Sequence, residues 1–570
     1  MTIKYLLYGS LLAMSVSCSD ILNKKDLSAV TDDQVWGDAK YATAYLNRLY
    51  EKNLPKWEGE QDRDGDGANS IFYSSYSDEA DGGGGVMYGQ LTTASCDYWY
   101  YEDIRNINML FEKLENNEAI DTETCTSLKA QASILRAWRY FCMVRVYGGV
   151  PMILLPQKLT DDLLVSRNKT SECIDIIIKD LDYAYENLPW SWTGDDLGRA
   201  TKAAALALKG RVLLYYASPQ FNPDNRMDRW EAAYKVNKQA KEELEANGYG
   251  LYASYEKIWY DEMNREVIWG RRYQEPGATN KWNAATRPLS EAQNYTGANH
   301  PTLEMVESYP MVTGVPITES KEYDPVLYWK NRDPRFNVTI AYNSCTWELS
   351  GKAGRKQWTY VGAELNAPTA TGFYCRKAVD PSYTSYYTER SSTDWIEIRH
   401  AEVLLNYAEC AAMMGKTEEA YDVLKAIRAR AGILAGDNGM YGLKTGLSSG
   451  QMIDAIMLER KLELSFEGKR YWDLRRRRLF EAELNGKVRH GVLPKLNIPE
   501  EEFNKIKDTA DFDNNYATYF RDSLVILDKN FAIDFKDNYY FYAIPNKYLE
   551  TNSKMEQTQG WSGGTFNPLD

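Results

Sequence analysis

Apolar residues recur at three-to-four spacing over most of this chain, the pattern of helices that bury one face. Over residues 31–50, Trp36, Ala39, Ala42, Thr43, Leu46 and Tyr50 fall near one face, with Thr31 or Asp32 placed to cap it. The same spacing predicts helices over 100–114, 126–147, 171–187, 202–216 and 229–247. Several are joined by short turns, so antiparallel helix pairs are expected. From about 266 to 395 the pattern changes. Gly, Pro, Thr and aromatics become frequent, and alternating runs over 336–342 and 373–378 predict strands. Helical spacing returns over 398–414, 416–431 and 449–464. The first two helices turn at Gly415 and together span about 34 residues, the length of a tetratricopeptide unit. Ala401, Ala408, Ala412, Ala420 and Ala426 let them pack closely. The expected fold is mainly α. A helical scaffold occupies about 31–265 and 396–480, a loop-and-strand excursion 266–395, and a mixed part 481–570.

The N-terminus reads differently. Lys4 precedes an apolar stretch over 5–16, then Ser17 and Cys18. The stretch falls well short of the roughly 20 residues of a spanning helix, so 1–17 is expected to be an export signal. Val16-Ser17-Cys18 fits a lipobox at the two positions before the cysteine, although Ser15 stands where Leu is usual. Cys18 is therefore the expected lipidation site, and residues 18–570 form the expected mature domain, anchored to a membrane rather than threaded through it. Asp20 is compatible with surface display.

Composition narrows the function. Of 570 residues, 67 are Lys or Arg and 81 Asp or Glu, a net charge of −14 that argues against nucleic-acid binding. The basic run Arg475, Arg476, Arg477 and Arg478 follows a predicted helix, where helix-end or ion-pair roles are expected. The eight cysteines contain no CxxC pair, which gives a structural zinc site no support. Cys142 and Cys410 sit in helical patterns as small core residues, and Cys345 and Cys375 are candidates to pair. The three histidines, His300, His400 and His490, supply little for histidine-based catalysis. The 43 Tyr and 16 Trp are more telling, because their rings offer a flat apolar face with a polar edge.

Seven blocks occur in an order that resembles one family. They are 132–151 (ASILRAWRYFCMVRVYGGVP), 198–217 (GRATKAAALALKGRVLLYYA), 331–336 (NRDPRF), 371–377 (TGFYCRK), 398–410 (IRHAEVLLNYAEC), 456–476 (IMLERKLELSFEGKRYWDLRR) and 542–552 (YAIPNKYLETN), the last followed by Gly560-Trp561. Together they resemble the SusD/RagB-like outer-membrane nutrient-binding lipoproteins over nearly the whole chain. Gln557-Thr558-Gln559 departs from the Asn-Pro that many members carry. The resemblance implies four tetratricopeptide-like helix pairs. It implies a cell-surface lipoprotein of the outer membrane that captures oligo- or polysaccharide for a SusC-like TonB-dependent transporter. It implies no catalysis and no required cofactor. A peptide-binding importer subunit of the same architecture is the alternative. Read from the residues alone, Leu458, Leu462 and Phe466 line one face of 456–476, while Glu459, Arg460, Glu463, Arg470 and Asp473 are expected to form ion pairs.

A sugar ring is gripped by stacking on its C–H face and by hydrogen bonds to its hydroxyl edge, from loops on a rigid scaffold. Two regions qualify. The glycine-rich stretch 52–95 and the segment after it supply Tyr73, Tyr76, Asp78, Asp81 and Trp99, with Trp99 and Asp81 foremost. The excursion supplies Trp282, Tyr295, Trp347 and Trp358. Asp62, Asp64 and Asp66, with Gly67 at the sixth place, match the first half of a calcium loop, but its twelfth place is Tyr73. A calcium ion completed by distant ligands and a solvated acidic turn both remain open.

Overall fold

The computed structural model describes residues 31–57, 72–293 and 297–570 of the chain. Cys18, the Asp62, Asp64 and Asp66 trio and Tyr295 lie outside the described residues. The first half is carried by helices α1 (Asp32–Trp36), α2 (Ala39–Asn53), α3 (Tyr101–Leu114), α4 (Thr122–Tyr147), α5 (Thr170–Asn187), α6 (Lys202–Ala217) and α7 (Met227–Ala246). The helix expected over 31–50 is two. Gly37 ends α1, and the Asp38 carboxylate caps α2 by accepting from the Lys40 N–H at 2.7 Å. Within α4 every residue of 130–147 except Arg136 is buried. Buried nearly all round, it is the axis of a core shared with α2, α3, α5 and α6.

The excursion starts at β1 (Val267–Arg271), passes α8 (Pro334–Thr339), β2 (Ile340–Ala341) and β3 (Tyr374–Cys375), and ends at β4 (Trp395–Arg399). The strand expected over 336–342 is mostly helix. Asp333 caps the Arg335 N–H at 2.9 Å and Pro334 occupies the first turn, so local capping overrides the alternating pattern. Cys345 and Cys375 form no disulfide with each other, and Cys345 Sγ accepts the Tyr342 N–H at 3.3 Å. Helices α9 (His400–Met413), α10 (Thr417–Ala431), α11 (Ser449–Glu463) and α12 (Arg470–Arg476) follow, then the antiparallel hairpin β5 (His490–Leu496) and β6 (Phe520–Ile526). The mainly helical expectation holds. The strands described make only two-stranded sheets. No helix among the described residues is long and apolar enough to cross a membrane.

The excursion is closed at its root. β1 pairs with β4, and the His400 N–H donates to the Glu266 carbonyl at 2.9 Å. Arg399 then ties three segments together, contacting Glu266 at 2.6 Å, Glu463 at 2.7 Å and Glu467 at 2.8 Å with all four groups buried. Such a cluster survives burial because every charge is matched, and removing one partner from a buried pair costs about 3–5 kcal/mol. Helix α9 solves the same problem. Residues 400–412 are all buried, so its polar groups need internal partners. Glu402 takes Arg211 on two oxygens at 2.7 Å each, Asn406 takes Arg460 at 2.7 Å, and Glu409 takes Arg476 at 2.6 and 2.7 Å. The charges of 456–476 and the Arg476 end of the basic run are thus interior ion pairs.

Candidate functional site

Most of the aromatic residues expected to face a ligand are packed into the core. Trp282 and Trp347 are 1% and 2% exposed. Trp282 stacks on Trp57, and its Nε1 donates to the Lys377 carbonyl at 3.0 Å. Trp99 is covered on one face by Tyr548, 4.7 Å between centroids, and bordered by Tyr101 and Tyr147. Trp358 is half-buried, with Phe503 and Phe512 edge-on to it. Tyr73 and Tyr76 are half-buried against Tyr471, and burial pushes the Tyr76 phenol up to about 12. These rings bury large apolar areas. Trp282, Trp347 and Trp358 build the core of the excursion, which has little regular structure, while Trp99, Tyr73 and Tyr76 pack into the helical core.

Asp78 is likewise interior. Burial opposes its charge, but Arg470 at 2.8 Å and Lys461 at 2.8 Å outweigh that and hold its carboxyl well below the usual range. It fastens the glycine-rich loop to α11 and α12 rather than facing a ligand. Asp81 is the exception, a quarter exposed and 3.5 Å from His300 Nδ1. The two expected regions do meet there. Ala80 bridges Pro301, the Asp81 N–H donates to the His300 carbonyl at 3.0 Å, and the Thr302 N–H donates to the Glu79 carbonyl at 3.0 Å.

An open aromatic-walled concavity lies elsewhere, at the root of the excursion. It holds about 360 Å³, at the low end of the range for small-molecule sites. Four segments build it: the α5–α6 loop with Trp190 and Trp192, residues 247–249 after α7, residues 258–265, and the β1–β4 pair with Asp394 beside it. The floor is Trp259, Trp269 and Trp395, each under 6% exposed. The walls are the half-buried Trp190, Trp192 and Tyr249. Two hydrogen bonds set these rings. Trp192 Nε1 donates to the Ala200 carbonyl at 2.9 Å, and the Tyr249 hydroxyl donates to the Trp190 carbonyl at 3.1 Å. Gly270 is needed here, because a Cβ would lie 2.3 Å from the Trp395 carbonyl oxygen and break the strand pairing. Two register shifts beside Trp269 bend β1 around the floor.

The rim is charged. Arg272 contacts Glu262 at 2.8 Å and Asp394 at 3.7 Å. Asp394 also accepts the Tyr273 N–H at 2.7 Å. Its carboxyl is nonetheless pushed up to about 7, chiefly by burial. Arg265 and Arg271 complete the rim. Flat indole faces beside hydrogen-bonding edges are what a sugar ring requires. None of these residues was singled out from the sequence. The available signal was Trp190-Ser-Trp192 in a polar loop between two helices. The partners it joins come from segments far apart in the chain and meet only when the excursion closes.

Residues 255–561 match the SusD family, and residues 43–214 match a second family description, "Starch-binding associating with outer membrane". The SusD-like protein P38 of Formosa agariphila is 26% identical over 479 residues, 80% of this chain and 88% of that relative. A SusD-like protein from Bacteroides fragilis superposes with a TM-score of 0.74 at 24% identity, over 93% of this chain and 99% of its own. A laminarin-binding SusD-like protein superposes with a TM-score of 0.55 at 20% identity, over 92% and 99%. At these identities the solved structures establish the fold, and the match over more than half of the chain establishes the family: this chain belongs to the SusD family.

Proposed function

We propose that the protein is a cell-surface glycan-binding lipoprotein of the outer membrane. In this reading acylated Cys18 anchors it. It captures oligo- or polysaccharide and passes it, unhydrolysed, to a SusC-like TonB-dependent transporter. Family membership supports the reading, as do the starch-binding family description and the laminarin-binding structural neighbour. The observation that carries it is the concavity walled by Trp190, Trp192 and Tyr249 over an indole floor. Its carboxylates, Glu262 and Asp394, share Arg272. That is an arrangement for holding a rim in shape, and it supports binding without turnover.

The test is affinity electrophoresis of the mature chain through gels containing purified polysaccharides. Retardation by at least one of them, relieved in Trp190→Ala/Trp192→Ala, is the expected result. Unretarded migration in every gel would remove the reading.

A further inference from the structure

The rim of the concavity carries positive charge that no carboxylate among the described residues neutralises. Arg199 is paired with Asp196 at 2.5 Å, and Arg272 is shared by Glu262 and Asp394. Arg265 and Arg271 have no carboxylate within ion-pair distance among the described residues. Arg265 donates to the Tyr249 carbonyl at 3.4 Å, and Arg271 donates to the Glu51 carbonyl at 2.8 Å. A guanidinium has five N–H donors in a planar fork, so most of theirs are uncommitted. In a chain of net charge −14, two unmatched arginines at one aromatic cavity run against the overall sign.

Of the rim arginines, Arg265 and Arg272 are also seated. A Cβ on Gly250 would lie 2.3 Å from Arg265 Nη2, and one on Gly198 would lie 2.7 Å from Arg272 Cδ. Arg265 thus lies over Gly250, which lowers the entropy it loses when it grips a ligand. Trp269 borders the same space, and its buried Nε1 has no acceptor among the described residues. Burial pushes the Asp394 carboxyl up to about 7, with the Tyr273 N–H and Arg272 opposing the rise and Glu262 adding to it. Near neutrality Asp394 therefore presents only part of a negative charge.

We propose that this cavity selects saccharides bearing an anionic substituent, a uronate carboxylate or a sulfate ester, which Arg265 and Arg271 receive while Trp190 and Trp192 pack on the ring. The proposal rests on the reading of the cavity as a glycan site. Bidentate guanidinium contacts suit both planar carboxylates and sulfate oxygens, and the two sources are separable by experiment.

The experiment is calorimetric titration of the mature chain with three probes of matched length: oligogalacturonate, a sulfated galacto-oligosaccharide and a neutral galacto-oligosaccharide. At least one acidic probe binds, about tenfold or more tighter than the neutral one, and added salt weakens it. Which acidic probe binds names the substituent. Arg265→Gln/Arg271→Gln weakens that binding about tenfold or more, and Arg265→Lys/Arg271→Lys, which keeps the charge without the fork, recovers part of it. Unchanged thermal unfolding of the variants separates this loss from misfolding. Three results overturn the proposal: equal affinity for acidic and neutral probes, no binding of either acidic probe, or acidic binding indifferent to both arginines. If a neutral glycan binds, and its binding falls in Trp190→Ala/Trp192→Ala but not in the arginine variants, acidic selection is overturned and the glycan reading stands. Indifference of every bound glycan to the tryptophans removes this cavity from both.

Discussion

Trp282 lies stacked on Trp57, ring centroids 4.5 Å apart and planes 18° from parallel. The Trp57 Nε1 donates to the Thr393 carbonyl at 2.8 Å. The pair therefore bolts the segment after α2 to the far end of the excursion. Trp282→Ala is expected to destabilise the fold by about 3–5 kcal/mol, the cost of emptying a buried aromatic site. Urea denaturation measures it. The folded variant should keep wild-type glycan affinity, and a specific loss of binding at full stability would restore Trp282 to the ligand site.

Glu397 sits between Lys469 at 2.9 Å and Arg211 at 2.5 Å. Burial raises its carboxyl, but these two cations outweigh burial and bring it down to about 2. The folded value lies below the ordinary value of about 4.3. Its contribution to stability is thus fully present above about pH 4.3 and lost as pH falls towards 2. Glu397→Gln should flatten the stability curve in that window while costing about 3–5 kcal/mol near neutrality, because Lys469 and Arg211 lose a buried partner. Denaturant midpoints across the window decide. An acid limb unchanged in slope would show that this group does not titrate as described.

Asp394 has the opposite sign. Its folded value of about 7 lies above the ordinary value of about 3.9. Between the two, the native state keeps a proton that the unfolded chain has released. Its contribution is present below about pH 3.9 and is lost as pH rises through about 7. Asp394→Asn can still accept the Tyr273 N–H. Its stability relative to wild type is expected to rise between about pH 4 and 7 and to level off above. Denaturation at about pH 5 and about pH 8 checks this, and a gap of equal size at both would contradict it.

The helices were legible because their signals are local. Residues 398–410 carry a strong period, and β4 and α9 divide where Arg399 leaves the strand. Residues 336–342 misled because Asp333 and Pro334, just outside the run, start a helix that the alternation conceals. The rings could not be sorted in advance. An indole has the same value in a core as under a sugar, and what covers it lies far along the chain, as Tyr548 does for Trp99. The cavity was hidden for the same reason. It exists because Glu266 and Arg399, 133 positions apart, close the excursion, and neither residue touches the space they create.

The most direct measurement titrates the mature chain with the polysaccharide that retards it and then sizes the recovered ligand. Wild type should bind with saturable heat and return the ligand at its original length. Trp190→Ala/Trp192→Ala should bind about tenfold or more weaker while unfolding at the wild-type temperature. Affinity untouched by losing both indoles, or fresh reducing ends in the recovered glycan, would contradict a binding protein that works through this cavity.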